Sequence, residues 1–195
     1  MTIYRREWDD GVVIRELSLE ENDQFIGPHH SEIFNTAQPR IFANSFYTNE
    51  EKTKLKELSE LYKGYHLTLG AFFKGDFAGW HFGLQTAADT YFMRNSAVLP
   101  DFRRRRIYER LLHATLEKVT AAGFQRVTSD HHPSNTAVLI AKLKAGFWIS
   151  GVHVDDRFGT LVDLVWYPHQ VRRDAFEYRV GHTFPSSSVQ KLLER

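Results

Sequence analysis

Ser96-Ala97-Val98-Leu99-Pro100-Asp101-Phe102-Arg103-Arg104-Arg105-Arg106-Ile107-Tyr108-Glu109-Arg110-Leu111-Leu112 is the stretch that decides the fold of this chain. It reads as a strand that stops at a proline and turns at once into an amphipathic helix, with Ile107, Leu111, Leu112, Leu116 and Val119 at helical spacing. The first backbone N–H groups of such a helix have no partner inside it and lie at the positive end of its dipole, so the turn can hold a pyrophosphate. Arg103 to Arg106 have two readings. Cations oppose the dipole at a helix start, which favours an anionic partner held by bidentate guanidinium contacts; the alternative is a run of solvated charges.

Upstream, Leu67, Leu69, Ala71 and Phe73 alternate with other residues up to Lys74-Gly75-Asp76, and Ala78, Trp80, Phe82 and Leu84 alternate beyond it. That is the pattern and turn chemistry of a β-hairpin, and Tyr91 to Val98 adds a third strand. Thr48 and Glu51 form a capping box ahead of Leu55, Leu58 and Leu61, whose stripe predicts a helix ending at Gly64. Ser18 and Glu21 form another after a first strand, Val12 to Leu17, with Pro28 limiting the helix that follows. Residues 27–47 are polar and aromatic with weak periodicity and read as short helix and loop.

Downstream, Gly123 stops the helix that starts at Ile107, and Val127 to Ser129 is a short strand leaving through Asp130-His131-His132-Pro133. Ser134 caps a helix from Asn135 to Ala145 that Gly146 ends, and Trp148 to Val154 with Thr160 to Tyr167 makes a closing hairpin. Residues 1–167 therefore read as one domain and 168–195 as a C-terminal extension. Val171, Phe176, Tyr178, Val180 and Phe184 in that extension need an apolar partner, either the first helices or a second copy of the chain in a homodimer. Trp80, Trp148 and Trp166 fall on strands and read as core.

With 195 residues, 42% hydrophobic and 25% charged, the chain has the composition of one ordinary globular domain. A net charge of +1 argues against a dedicated nucleic-acid binder, because the arginine run is balanced elsewhere. The absence of cysteine excludes disulfides, thiolate metal sites and a cysteine nucleophile. No stretch reads as a signal peptide or membrane span, and the expected location is cytoplasmic. His29-His30 and His131-His132 lack a third ligand at chelating spacing, so they read as solvent-facing loop histidines and no metal site is expected.

The turn and the element order together resemble the GNAT superfamily of N-acyltransferases over residues 12–167. Val98, Pro100 and Arg103 fall on the first fixed positions of the family's Val-x-Pro-x-x-Arg/Gln-x-x-Gly-x-Gly/Ala pattern. Asn135, Lys144, Gly146 and Phe147 match its Asn-x-x-Ala-x-x-Leu-Tyr-x-Lys-x-Gly-Phe pattern. Arg106 and Tyr108 stand where the family has glycine, or glycine or alanine, and Lys142 replaces the tyrosine that in many members protonates the leaving thiolate.

The resemblance implies an α/β (mixed α+β) fold with a mostly antiparallel central sheet of about seven strands, whose fourth and fifth strands are parallel and splay apart. It implies acetyl-CoA or another acyl-CoA as cofactor. The backbone at Ala97 and Val98 would hold the pantetheine arm, with the Val98 N–H as oxyanion donor. Arg103, Arg104, Arg105, Arg106, Ile107, Tyr108 and Asn135 would lie on the cofactor side. His131 or Asp130 is the candidate base, with a polar strand exit as the alternative; strand alternation sends the two to opposite faces. Lys142 is the candidate acid by position, with a solvated helix face as its alternative, and Tyr91 and Tyr167 are further candidates that read equally as core. The acceptor would be a small-molecule or peptide amine, chosen by residues 27–47 and 155–159. Two functions follow: an acyl-CoA-dependent N-acyltransferase, or a GNAT-shaped binding module in which Arg106 and Tyr108 have closed the pyrophosphate site.

Overall fold

A computed structural model describes residues 4–33, 46–181 and 183–194. The strands are β1 (Arg5–Glu7), β2 (Val12–Glu16), β3 (His66–Phe73), β4 (Asp76–Ala87), β5 (Thr90–Val98), β6 (Arg126–His131), β7 (Trp148–Asp155) and β8 (Gly159–Trp166). The helices are α1 (Leu19–Phe25), α2 (Gly27–Ile33), α3 (Asn49–Leu61), α4 (Ile107–Ala121), α5 (Thr136–Lys144), α6 (Gln170–Arg179) and α7 (Ser187–Leu193), with a 3-10 turn at Pro100–Phe102. One sheet runs in the order β1-β2-β3-β4-β5-β6-β8-β7. Among the described residues only the β5–β6 pair is parallel; the other neighbours are antiparallel. The eighth strand, beyond the expected seven, is the short β1 at one edge.

Local signals account for most boundaries. Both capping boxes form, with Ser18 and Thr48 accepting from the Glu21 and Glu51 backbones while each glutamate reaches back to its cap. Lys74 and Gly75 both have positive φ, at 51° and 96°, the twist a two-residue hairpin loop requires. α5 differs: Asn135 is its N-cap, and the Ser134 hydroxyl instead lies 2.7 Å from His132 Nδ1. Of residues 27–47, the first part forms α2 and 34–45 lie outside the described residues.

α4 lies across the sheet and buries Ile107, Leu111, Leu112, Leu116 and Val119 against Val12, Ile14, Leu69, Tyr91, Met93 and Val127. α3 is a helix as its stripe predicts, yet Leu55, Leu58 and Leu61 are exposed. In the extension, Phe176 of α6 packs on Trp148 and Tyr167, while Arg172 pairs with Asp89. It thus covers the β7–β8 end of the sheet rather than the first helices; Phe184 stays exposed. Trp80 and Trp166 are core residues, and Trp148 is covered by α6.

Gly79 of β4 faces Val98 of β5 at very close approach: a Cβ there would sit 2.3 Å from the Ala97 carbonyl oxygen. Backbone cannot move aside as a flexible side chain would. Gly79→Ala is therefore expected to destabilise the fold by about 1–3 kcal/mol, read from the midpoint of urea denaturation.

Candidate active site at the split between β5 and β6

β5 and β6 pair at Thr90↔Arg126, Tyr91↔Val127 and Phe92↔Thr128, and no further. Immediately beyond, a bulge against β4 leaves Arg94 without a cross-strand partner. The rest of β5 follows β4 while β6 follows β8, so a wedge opens between them. Leu99 N–H donates to Ala78 O of β4 at 2.9 Å, so alternation turns the Val98 N–H and C=O toward the wedge. Arg103 Nε donates to that carbonyl at 3.2 Å.

The arginine loop closes the wedge at the start of α4. All four arginines are exposed, and among the described residues none forms an ion pair; Arg105 lies over the Phe73 ring at 4.7 Å. Arg104 and Arg106 have φ of 62° and 58°, the left-handed region that costs an ordinary side chain about 1–2 kcal/mol. Arg106 thus keeps the backbone a glycine would adopt. It is the N-cap of α4 and supplies no side-chain cap, which leaves the first-turn N–H groups free for an anion. Ile107 is buried in the core. Tyr108 packs against the core cluster, and burial pushes its phenol well above the ordinary range.

Lys142 of α5 is wholly buried rather than solvated. Its Nζ lies 2.6 Å from Ser129 Oγ of β6 and 3.6 Å from Met93 Sδ of β5, beneath the two diverging strands, and 5.0 Å from the Phe147 ring centre. Burial lowers its pKa to about 7, with the Asp130 carboxylate acting the other way. His131, the last residue of β6, shares the Ser129 face. It is no solvent-facing loop histidine: Nε2 is buried without a hydrogen-bond partner, and burial, then Lys142, lowers its pKa to about 3. The imidazole is therefore neutral and has one unsatisfied buried atom on the face of β6 that carries Ser129.

Asp130 faces the opposite side of the sheet, directly across from Asp163 of β8. His153 of β7 completes the group, with Nδ1 2.8 Å from Asp163 Oδ1 and one ligand atom of each of the three residues within 4.8 Å of the others. Like charges directly opposite are destabilising. Burial raises the Asp130 pKa, His153 opposes the rise, and Asp163 adds to it. Asp130 and Lys142 interact electrostatically from the two sides of β6.

Of the residues read as site candidates from sequence, Val98 lies at the open edge of β5 with Arg103 on its carbonyl, Ala97 turns its backbone C=O to β4 instead, and Arg104 to Arg106 form the turn that leads into α4. Lys142, Asp130 and His131 meet at β6. Asn135 caps α5 without using its side chain. Tyr91 is committed elsewhere, its hydroxyl 2.8 Å from His81 Nε2 in the core. Tyr167 lies under α6. His153 and Asp163 were not nominated; their contact depends on strand pairing between separate segments, and no local motif marks it. Two surface hollows, of about 410 and 260 Å³, are lined by residues of β1 to β3 and α4, or just beside them, and by none from β5, β6 or α5.

Residues 32–147 match the acetyltransferase (GNAT) family, and the chain belongs to that family. Acyl transfer is the family's chemistry, generally from acetyl-CoA. The fold is similar to that of ribosomal-protein-S5-alanine acetyltransferase from Vibrio fischeri (TM-score 0.62, 12% identity, covering 86% of this chain and 98% of that one). It is also similar to ribosomal-protein-S18-alanine N-acetyltransferase from Escherichia coli (0.57, 18%, 80% and 93%). An IAA acetyltransferase from Bacillus cereus is a third (0.59, 17%, 80% and 99%). At such identities the likeness concerns the fold. No curated protein matches the chain in sequence. Among the described residues no helix is long and apolar enough to cross a membrane.

The buried ammonium gives a stability test. Lys142 titrates near 7 when folded and near its ordinary 10.5 when unfolded, so between those values the unfolded chain holds more protons and stability rises with pH. Lys142→Met is expected to remove that rise and to stabilise the protein by roughly 1–4 kcal/mol below pH 7, measured by thermal unfolding between pH 6 and 10.

Proposed function

We propose that the protein is an N-acyltransferase that moves an acetyl group from acetyl-CoA to a primary amine of a small molecule or peptide, by direct attack in a ternary complex. The observation that carries this reading is the pair Lys142 and Asp130, placed on opposite faces at the strand split and coupled electrostatically. A proton donor lies on one side of the reaction centre and a proton acceptor on the other. That is what acyl transfer from a thioester to an amine needs.

Acetyl-CoA supplies the activated acyl group. The residues present fit it: unpaired first-turn N–H groups on α4, glycine-type backbone at Arg106, the open Val98 edge and the orphaned His131 Nε2. Arg103 to Arg106 with the α4 start at Ile107 and Tyr108 would hold the phosphates, and Asn135 would bind from the α5 start. Val98 would pair with the pantetheine arm as an added strand does, while its neighbour Ala97 faces β4. The Val98 N–H donates to the developing oxyanion. Asp130 takes the proton of the amine, beside His153 and Asp163, through which it can pass to solvent. Lys142 gives its proton to the departing thiolate. The reaction belongs where acetyl-CoA is abundant, in the cytoplasm.

A binding module without catalysis is the second reading, favoured by Tyr108, whose bulk replaces a small residue at the phosphate turn. Cofactor affinity separates the two. Under the enzymatic reading acetyl-CoA at 100 times its Kd raises stability by about 2.7 kcal/mol, and Arg103→Ala weakens calorimetric binding roughly tenfold. No shift with millimolar acetyl-CoA would leave the binding-module reading standing.

The chemistry has its own signature in thiol release over a panel of amines. Asp130→Asn should lower kcat by about 10²–10⁴ without changing acetyl-CoA affinity. Because Lys142 donates only while protonated, kcat should fall as pH rises through about 7. Lys142→Met should lack that alkaline limb.

A further inference from the structure

β5 changes direction halfway along, and β4 holds the change with side chains on both faces of the sheet. The bulge separates Met93, opposite Gly83, from Asn95, opposite Phe82, with exposed Arg94 between. Tyr91 lies on the side still paired with β6, and Ser96 on the side that has left it. His81 spans the two: Nε2 is 2.8 Å from the Tyr91 hydroxyl and Nδ1 is 2.8 Å from Ser96 Oγ. Tyr91 reaches the ring over Gly83, where a Cβ would stand 2.3 Å from the phenol oxygen. On the other face Trp80 Nε1 donates to Asn95 Oδ1 at 3.0 Å.

The His81 ring is 0% exposed, and both its nitrogens are engaged. A neutral imidazole has one donor and one acceptor, and a hydroxyl can take either role, so the three groups satisfy one another in either tautomer. Burial, followed by Lys142, lowers the His81 pKa to about 3, which keeps it neutral. Such a ring offers no free atom to a substrate. What it does is join two points of β5 that a bulge would otherwise let move independently.

We propose that His81 is a positioning residue for acyl transfer: by tying Tyr91 to Ser96 across the bulge, it sets the direction in which Ala97 and Val98 leave β6, and with it the edge that receives the acyl-CoA arm. The proposal rests on the split being the acyl-CoA site. Displacements of about 1 Å at a reacting centre cost about a hundredfold in rate, so a strand that carries the oxyanion donor needs such a tie.

His81→Leu alone would leave two buried hydroxyls unpaired and weaken the fold for that reason. The informative variant is H81L/Y91F/S96A, which removes all three polar groups together. It should fold, with amide exchange at Ala97 and Leu99, whose N–H groups face β4, at least tenfold faster than in the native protein and acetyl-CoA affinity in calorimetry at least tenfold weaker. Val119→Ala, a core truncation at the far end of α4, should lose stability and keep its affinity. If the triple variant does not fold, His81→Gln, which can reach only one hydroxyl, takes its place with the same two readouts. Affinity within threefold of the native value overturns the positioning role, whatever the exchange. If the native protein does not bind acetyl-CoA, the acyl-transfer reading fails on its own account; exchange then decides the clamp separately, faster exchange upholding it and unchanged exchange overturning it.

Discussion

Three residue pairs join β5 to β6 before the strands part, and the site is a consequence of that interruption. Two strands that separate inside a sheet leave N–H and C=O groups without partners along their inner edges, and such groups are costly when buried. Arg103 satisfies one of them, the Val98 carbonyl. The Val98 N–H beside it points into the same gap. An extended ligand with amide groups is the natural partner for such an edge, because it can restore the missing ladder while its two ends lie at the arginine loop and at β6.

Much of this was legible in the sequence because its signals are local. Pro100 ends one strand and Ile107 begins an amphipathic helix; the two capping boxes and the Lys74-Gly75 turn each specify their element within a few residues. What was not legible depends on long-range burial. Lys142 sits on a short helix of nine residues whose other members do not announce which side faces inward, and the lysine itself argues for the outer one. The Asp130, Asp163 and His153 group comes from three strands whose order, β6-β8-β7, no single motif states. The exposed stripe of α3 shows the converse limit, since periodicity specifies a helix and says nothing about its partner.

The charges at the split explain each other. An isolated ammonium buried beneath β5 and β6 would deprotonate, and a carboxylate facing another carboxylate would protonate. Asp130 opposes the first effect by raising the Lys142 pKa, and His153, followed by Lys142, opposes the second by lowering that of Asp130. Neither effect overcomes burial. The result is a base weaker to ionise and an acid readier to release its proton than either would be in water, which moves both toward neutral pH, where general acid and base catalysis is most effective.

The arginine loop shows that backbone shape and side-chain identity can be separated. A glycine at position 106 would supply left-handed φ without strain and let phosphate approach the main chain. Arg106 adopts that φ regardless, and Arg104 does the same nearby. The strain is tolerable only because the elements on either side are fixed: Pro100–Phe102 continues from a β5 held against β4, and α4 is held by Ile107 and Leu111 in the core. With its path imposed from both ends, the loop can carry large side chains where small ones would fold more easily. What it gains is positive charge concentrated at a helix start, where nothing in the protein neutralises it among the described residues. Such an arrangement is unfavourable for the free protein and becomes favourable once an anion occupies it.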